Sequence, residues 1–261
     1  PHSGSIYPQD FDHNCDMLDL RRSEDLYVDE FFDIAPAYQA SFLKALFPRA
    51  YIDVNRSLED IDPLLLKDKW PGHILTSARA HAGIGLIRRL LKADYPVYNR
   101  KLGIAEVRHR IETCYTPYHD QLEEIINSLH AGYGQIWHIN CHSMPSGGKS
   151  RHRAGQRVTM KRPLADFVIG DKDGTSCADD FSHLIRDFLK SKGYSVAMND
   201  PYKGVEIVER HGQPDMNRHS LQLEINKALY VNEDTIEKTS GFDTLKSDME
   251  DLIRITSEFV K

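Results

Sequence analysis

The chain has no run near the ~20 consecutive apolar residues that a membrane-spanning helix requires. Cysteine is scarce. Cys15, Cys114, Cys141 and Cys177 are scattered and form no CxxC pair, which argues against a disulfide framework or a thiolate zinc site and favours reduced thiols. An excess of positive charge is also missing: 33 Lys and Arg face 39 Asp and Glu, for a net charge of −6. No global attraction to nucleic acid or an anionic membrane is therefore expected. Neither GxGxxG nor GxxxxGK[ST] occurs, so a phosphate cradle has no support. The Asp-containing loop "IGDKDGTSC" lacks EF-hand spacing and reads as a turn leading into a helix. There is no GxSxG elbow around Ser143 and no HExxH pair. The initiating Met is absent as well: the chain opens on the loop-like "PHSGSIYP", so natural residues are expected upstream of Pro1. A cytoplasmic location is the expectation, with a removed leader as the alternative.

What is present is an ordinary globular composition, 40% hydrophobic and 28% charged over 261 residues. "SEDLYVDEFFDIA" reads as an amphipathic segment with Ser23 as its N-cap, "RAYIDVN" alternates like a strand, and Lys101–Leu129 has long helical periodicity interrupted by Pro117 and ended by Gly132. "QIWHIN" and "ADFVIGD" read as short strands. "DDFSHLIRDFLKSKGYSVAMNDPY" reads as helix, Gly193, strand and turn, "SLQLEINKALY" as a strand, and the last segment as an amphipathic helix. Strands alternating with helices, without repeats or a clear linker, predict one α/β domain over 1–261 with a mixed sheet.

Four places carry candidate chemistry: His2 in "PHSG", Asp25, Asp29 and Glu30 in "SEDLYVDE", His142 in "NCHSMPS", and Glu224 in "LQLEIN". In open α/β sheets functional groups gather beyond the carboxyl ends of strands. Two neutral imidazoles and one carboxylate make a three-ligand zinc site open to water, and a further carboxylate can move that water's proton. Each residue also has a plainer reading. His142 as a hydrogen-bonded core histidine is one, and Glu224 on a solvated strand face is another. In "LQLEI" the strand puts Leu221, Leu223 and Ile225 on one face and Gln222, Glu224 and Asn226 on the other. If helices cover both faces, Glu224 is a buried carboxylate in need of a partner. His138 shares the face of His142 but lies about 13 Å away along a strand, too far to bind the same ion without a bulge. Cys141 and His142 point to opposite faces and cannot readily form a nucleophilic dyad. Asn55 and Arg56 offer a planar fork with an amide helper for a carboxylate, or are simply a surface pair beside a loop.

The ordered set "PHSG", "IDVNR", "TPYH", "NCHSMPS", "ADFVIGDKDGTSC", "NDPYKG" and "ERHGQPDMNRHSLQLEIN", running from Pro1 to about Tyr230, resembles the N-formylglutamate amidohydrolase family among the zinc carboxypeptidase and aspartoacylase-like hydrolases. The resemblance implies an α/β fold, a single domain of zinc-carboxypeptidase-like plan with a mixed central sheet flanked by helices on both faces. It implies Zn2+, or another divalent transition metal, on His2, Asp25 and His142, with Glu30 as the reserve carboxylate. Glu224 corresponds to the general base, and Asn55 with Arg56 to the pair that binds a substrate carboxylate. Arg210 and His219 are candidates for the second carboxylate or the oxyanion. The implied partner is a small N-acyl amino acid, N-formyl-L-glutamate cleaved to formate and glutamate. The alternatives are a related zinc deacylase or carboxypeptidase acting on another N-acyl amino acid or a peptidoglycan fragment, and a non-catalytic amino-acid-binding module. The loop from Leu58 to Tyr98 carries no assignable motif, and such loops usually tune the acyl pocket.

Overall fold

The computed structural model describes residues 2–75, 77–92, 94–147 and 164–260. Its helices are α1 (Met17–Arg21), α2 (Val28–Phe32), α3 (Ala78–His81), α4 (Ile104–Arg110), α5 (Thr116–Tyr133), α6 (Asp179–Ser191), α7 (Glu206–His211) and α8 (Gly241–Phe259). The strands are β1 (Leu90–Lys92), β2 (Tyr95–Pro96), β3 (Ile136–Met144), β4 (Phe167–Gly170), β5 (Val196–Met198) and β6 (Arg218–Asn226). β1 and β2 form a small ribbon, and the main sheet has the order β3-β6-β4-β5. β6 runs parallel to β3 and antiparallel to β4, and β4 is parallel to β5, so the sheet is mixed.

The period-2 pattern of β6 decides what each face holds. Leu221, Leu223 and Ile225 join Phe167 and Ile169 of β4, Phe181 and Ile185 of α6, and Met249 and Leu252 of α8 in one apolar cluster. Full burial of each such side chain contributes about 1.5–3 kcal/mol. The other face of β6 carries Ser220, Gln222, Glu224 and Asn226, all buried, beside buried Asn140 and His142 of β3. A second apolar cluster lies on that side, with Leu122 and Ile126 of α5, Ile207 of α7, and Ile52 and Val54. The domain is thus the expected mixed sheet with helices on both faces, and its polar groups are shut between two apolar layers.

Several local expectations need correction. "RAYIDVN" forms no strand. Its backbone turns, with Asn55 N–H donating to Asp53 Oδ1 and Arg56 N–H to the Asp53 carbonyl, because an Asp side chain can substitute for a strand partner. Ser23 is not an N-cap: its hydroxyl donates to the Leu20 carbonyl, and α2 begins after Tyr27 without a side-chain cap. Helix α5 ends at Gly134, which takes φ 74°, rather than at Gly132. Pro117 does not break the long helix; it falls in the first turn of α5, directly after a π-helical turn at Ile111–Tyr115. Helices α1 and α7 lie in segments that the sequence pattern did not single out.

Candidate metal centre and active site

The parallel pairing of β3 and β6 sets His142 opposite Glu224 at the carboxyl ends of both strands. The "PHSG" loop and the turn after α1 meet there, tied by the Asp25 N–H donating to the His2 carbonyl at 3.1 Å. His2, Asp25 and His142 are all buried, and one ligand atom from each lies within 4.8 Å of the others. His142 Nδ1 donates to Asp25 Oδ2 at 2.9 Å, and the His2 and His142 ring centroids are 4.9 Å apart.

His2 is placed differently. Its Nδ1 is 3.3 Å from Asp25 Oδ2 and its Nε2 is 2.8 Å from Asp53 Oδ1, yet neither nitrogen has hydrogen-bond geometry. A buried imidazole with a nitrogen left without a good partner beside a carboxylate is what a divalent ion satisfies. The donor set, two imidazoles and one carboxylate, fits zinc, and Asp53 stands behind His2 as an orienting carboxylate.

The electrostatics keep these groups in ligand form. Burial holds His142 down to about 3 against the opposing pull of Asp25, and burial together with the Arg49 charge lowers His2, so both rings are neutral at pH 7. Burial alone would raise Asp25 and Asp53. Arg49 and the two histidines at Asp25, and His2 and the arginines at Asp53, outweigh it and hold both carboxyls well below the usual range. Arg49 serves both, at 3.5 Å from Asp25 Oδ1 and 3.0 Å from Asp53 Oδ2, and Ser143 Oγ donates to Asp25 Oδ1 at 3.1 Å. Glu224 goes the other way. Burial first, then the Asp25 charge, pushes it up to about 8, while Arg49 and the 2.7 Å hydrogen bond from Gln222 Nε2 pull against that.

Asn55 and Arg56 adjoin the cluster. Asn55 Nδ2 lies 3.1 Å from His142 Nε2 and donates to Gln222 Oε1 at 3.2 Å, while its Oδ1 accepts from the Ile207 N–H of α7. Arg56 donates from Nη1 to the Asn55 carbonyl and from Nε to the Ile84 carbonyl, leaving Nη2 4.0 Å from Asp53 Oδ2.

The other expected residues lie elsewhere. Glu30 is half-exposed and paired with Lys238 at 2.6 Å, so it is no reserve ligand to this cluster. Arg210 pairs with Glu123 on the outer side of α5 and reaches His119 at 3.5 Å. His219 stacks on Trp137 with centroids 4.0 Å apart and accepts from the Ala178 N–H. It sits five residues before Glu224, about 16 Å along the strand. His138 bonds Ser220 Oγ, apart from the cluster, as parity and spacing require. Sequence reasoning passed over Asp53, Arg49, Gln222 and Arg88. Asp53 had a signal, since it precedes Asn55 by two in "IDVNR", and Gln222 shares the strand face of Glu224. A cavity of about 540 Å3 runs along the free edge of β3, lined by Leu122, Trp137, Phe181 and Leu252 among others, but His2, Asp25, His142 and Glu224 do not line it.

Comparison with known proteins gives a consistent result. The sequence profile of the family described as N-formylglutamate amidohydrolase matches residues 1–231. An N-formylglutamate deformylase from Pseudomonas aeruginosa is 29% identical over 214 residues, 80% of this chain and 71% of its own length. The deformylase of the same description from Pseudomonas putida is 26% identical over the same shares. The crystal structure of an N-formylglutamate amidohydrolase from Ralstonia eutropha superposes with a TM-score of 0.92 at 43% identity, covering 100% of this chain and 91% of that one.

Proposed function

Because this chain belongs to the N-formylglutamate amidohydrolase family, we propose that it hydrolyses N-formyl-L-glutamate to formate and L-glutamate, with zinc or another divalent transition metal held by His2, Asp25 and His142. The observation that carries this reading is the convergence of two neutral buried histidines and an ionised aspartate beside Glu224 at the carboxyl ends of β3 and β6. When bound, the metal supplies Lewis acidity, bringing the pKa of a water from 15.7 toward about 7.

Glu224 is the proton carrier. In its carboxylate form it accepts a proton from the attacking water as the C–O bond to the formyl carbon forms. It then returns that proton to the glutamate nitrogen as the C–N bond breaks. A carboxyl near 8 lies close enough to neutrality to do both, and added positive charge at the cluster moves it lower. Asp53 orients His2, and Arg49 fixes Asp25 and Asp53 as carboxylates. Asn55 and Arg56 flank the cluster and hold one substrate carboxylate, Arg56 through Nη2, which makes only a long 4.0 Å ion pair with Asp53 Oδ2.

All four cysteines are free thiols, which suits a reducing, cytoplasmic setting. Among the described residues no helix is long and apolar enough to cross a membrane. The test of the role given to Glu224 is Glu224→Gln. It should bind zinc as wild type does and lose kcat by about 100-fold or more, whereas near-normal turnover removes Glu224 from the chemistry.

A further inference from the structure

The loop Gly83–Arg88 lies directly against the segment that carries Asp53, Asn55 and Arg56. Arg56 donates to the Ile84 carbonyl, and the Asp53 N–H donates to the Leu86 carbonyl at 2.8 Å. Two residues on, Arg88 is only partly exposed and its Nε is buried with no hydrogen-bond partner. Among the described residues its guanidinium takes no ion pair. The undescribed internal stretch 148–163 contains no Asp or Glu that could supply one.

The charge balance around it is incomplete. Asp25 and Asp53 are both engaged by Arg49, and Arg56 spends two of its nitrogens on backbone carbonyls. Arg88 is therefore a third guanidinium beside two carboxylates that are already taken. Burial, with the like charges of Arg49 and Arg56, pushes it down to about 9 against the weaker pull of Asp53 and Asp25. An arginine whose Nε is buried without a partner is short of a hydrogen bond that an anion from outside can complete.

We propose that Arg88 binds the side-chain carboxylate of the substrate, the one Arg56 does not hold, and so sets selectivity for a dicarboxylic N-acyl amino acid. This rests on the functional reading above for the identity of the substrate, but not for the existence of the anion site. A five-carbon dicarboxylate gives each arginine one partner. The planar fork of Arg88 supplies a bidentate contact that a side-chain amide cannot match in charge.

The test compares kcat/KM for N-formyl-L-glutamate and N-formyl-L-glutamine in the metal-loaded full chain, for wild type, Arg88→Gln and Arg88→Lys. Arg88→Gln should lower the preference for glutamate by about 100-fold, carried by KM, since a buried charge contact is lost. Arg88→Lys, which keeps the charge without the fork, should fall between the two. An equal loss on both substrates, a loss confined to kcat, or the same collapse of preference in Arg79→Gln with Arg88→Lys unaffected would overturn the assignment. Arg79 is the apt comparison because its charge also reaches Glu224 and Arg56. If wild type turns over neither substrate, the functional reading fails and titration calorimetry with glutarate decides. Glutarate binding that Arg88→Gln weakens more than about tenfold sustains the anion site. Equal binding by both proteins, or none by wild type, refutes it.

Discussion

Asp53 links the His2–Asp25–His142 cluster to the neighbouring arginines: it meets His2 at 2.8 Å and Arg49 at 3.0 Å, and lies 4.0 Å from Arg56. Replacing it with Asn keeps the shape and removes the charge that orients His2. Carboxylates behind metal-binding histidines typically contribute 10–100-fold in affinity, so Asp53→Asn should weaken zinc by about that factor in competition with a chromophoric chelator. Zinc affinity equal to wild type would show that Asp53 serves only Arg49. At this scale the sequence was informative in proportion to local pattern. Parity along "LQLEIN" isolated Glu224 on a face that proves buried, and the end of an apolar run isolated His142. His219 precedes Glu224 by only five residues, but along β6 those five translate into roughly 16 Å of separation, and Arg210 lies on α7, paired with Glu123. Arg88 had no local signal, because its environment is made by the 49–56 segment, over thirty residues away in the chain.

Among the elements, the "PHSG" loop depends on close backbone approach more than on regular structure. A Cβ on Gly4 would lie 2.4 Å from the Phe47 carbonyl oxygen, and that atom is backbone rather than a flexible side chain. Gly4→Ala should therefore displace the loop that carries His2, losing zinc affinity together with about 1–3 kcal/mol of stability. Denaturant titrations with and without zinc would separate the two effects, and a variant as stable and as tightly loaded as wild type would show that the loop can shift freely. Strand β6 makes the complementary case. Leu223 is fully buried between β4 and the helical layer, so Leu223→Ala should cost about 2–5 kcal/mol by urea unfolding, while a cost below 1 kcal/mol would mean that the layer collapses to fill the space. β6, β4, β5, α6 and α8 were legible because period and turn residues agree there. "RAYIDVN" was not, because every residue from Ala50 to Asn55 is buried, Asp53 against His2 and Arg49 and Asn55 against His142 and Gln222, without a strand ladder.

The whole molecule buries several neutral imidazoles, and that shapes its response to acid. Burial holds His119 and His211 down to about 4, with the Arg210 charge adding to the effect at both, and holds His138 and His142 down to about 3. In the unfolded chain they titrate near 6.5, so below that pH the unfolded state binds protons that the folded state refuses. Stability is full above 6.5 and is lost as pH falls through 6.5 toward 4, at up to about 1.4 kcal/mol per pH unit for each histidine. Glu224 runs the other way, since its folded value near 8 favours the folded state as pH drops toward its ordinary range, and burial raises Glu24 and Glu206 as well, but among the described residues these three carboxyls stand against six lowered imidazoles, His2 and His219 included. Urea midpoints of the metal-free protein should fall between pH 7 and 5; a flat profile would mean that these histidines take up protons in the folded state.

The fold class was legible at this largest scale because mixed strands and amphipathic helices leave few arrangements for one domain. If the cluster of His2, Asp25 and His142 binds a metal, deformylation depends on that metal. Formate release from N-formyl-L-glutamate decides this when the full chain loaded with zinc, cobalt or manganese is set beside the same protein stripped by chelator. Formate and glutamate released in equal amounts only when metal is present is the predicted result. Equal turnover in the stripped protein, or none with any of the three metals, would rule out a metal-dependent deformylation at this cluster.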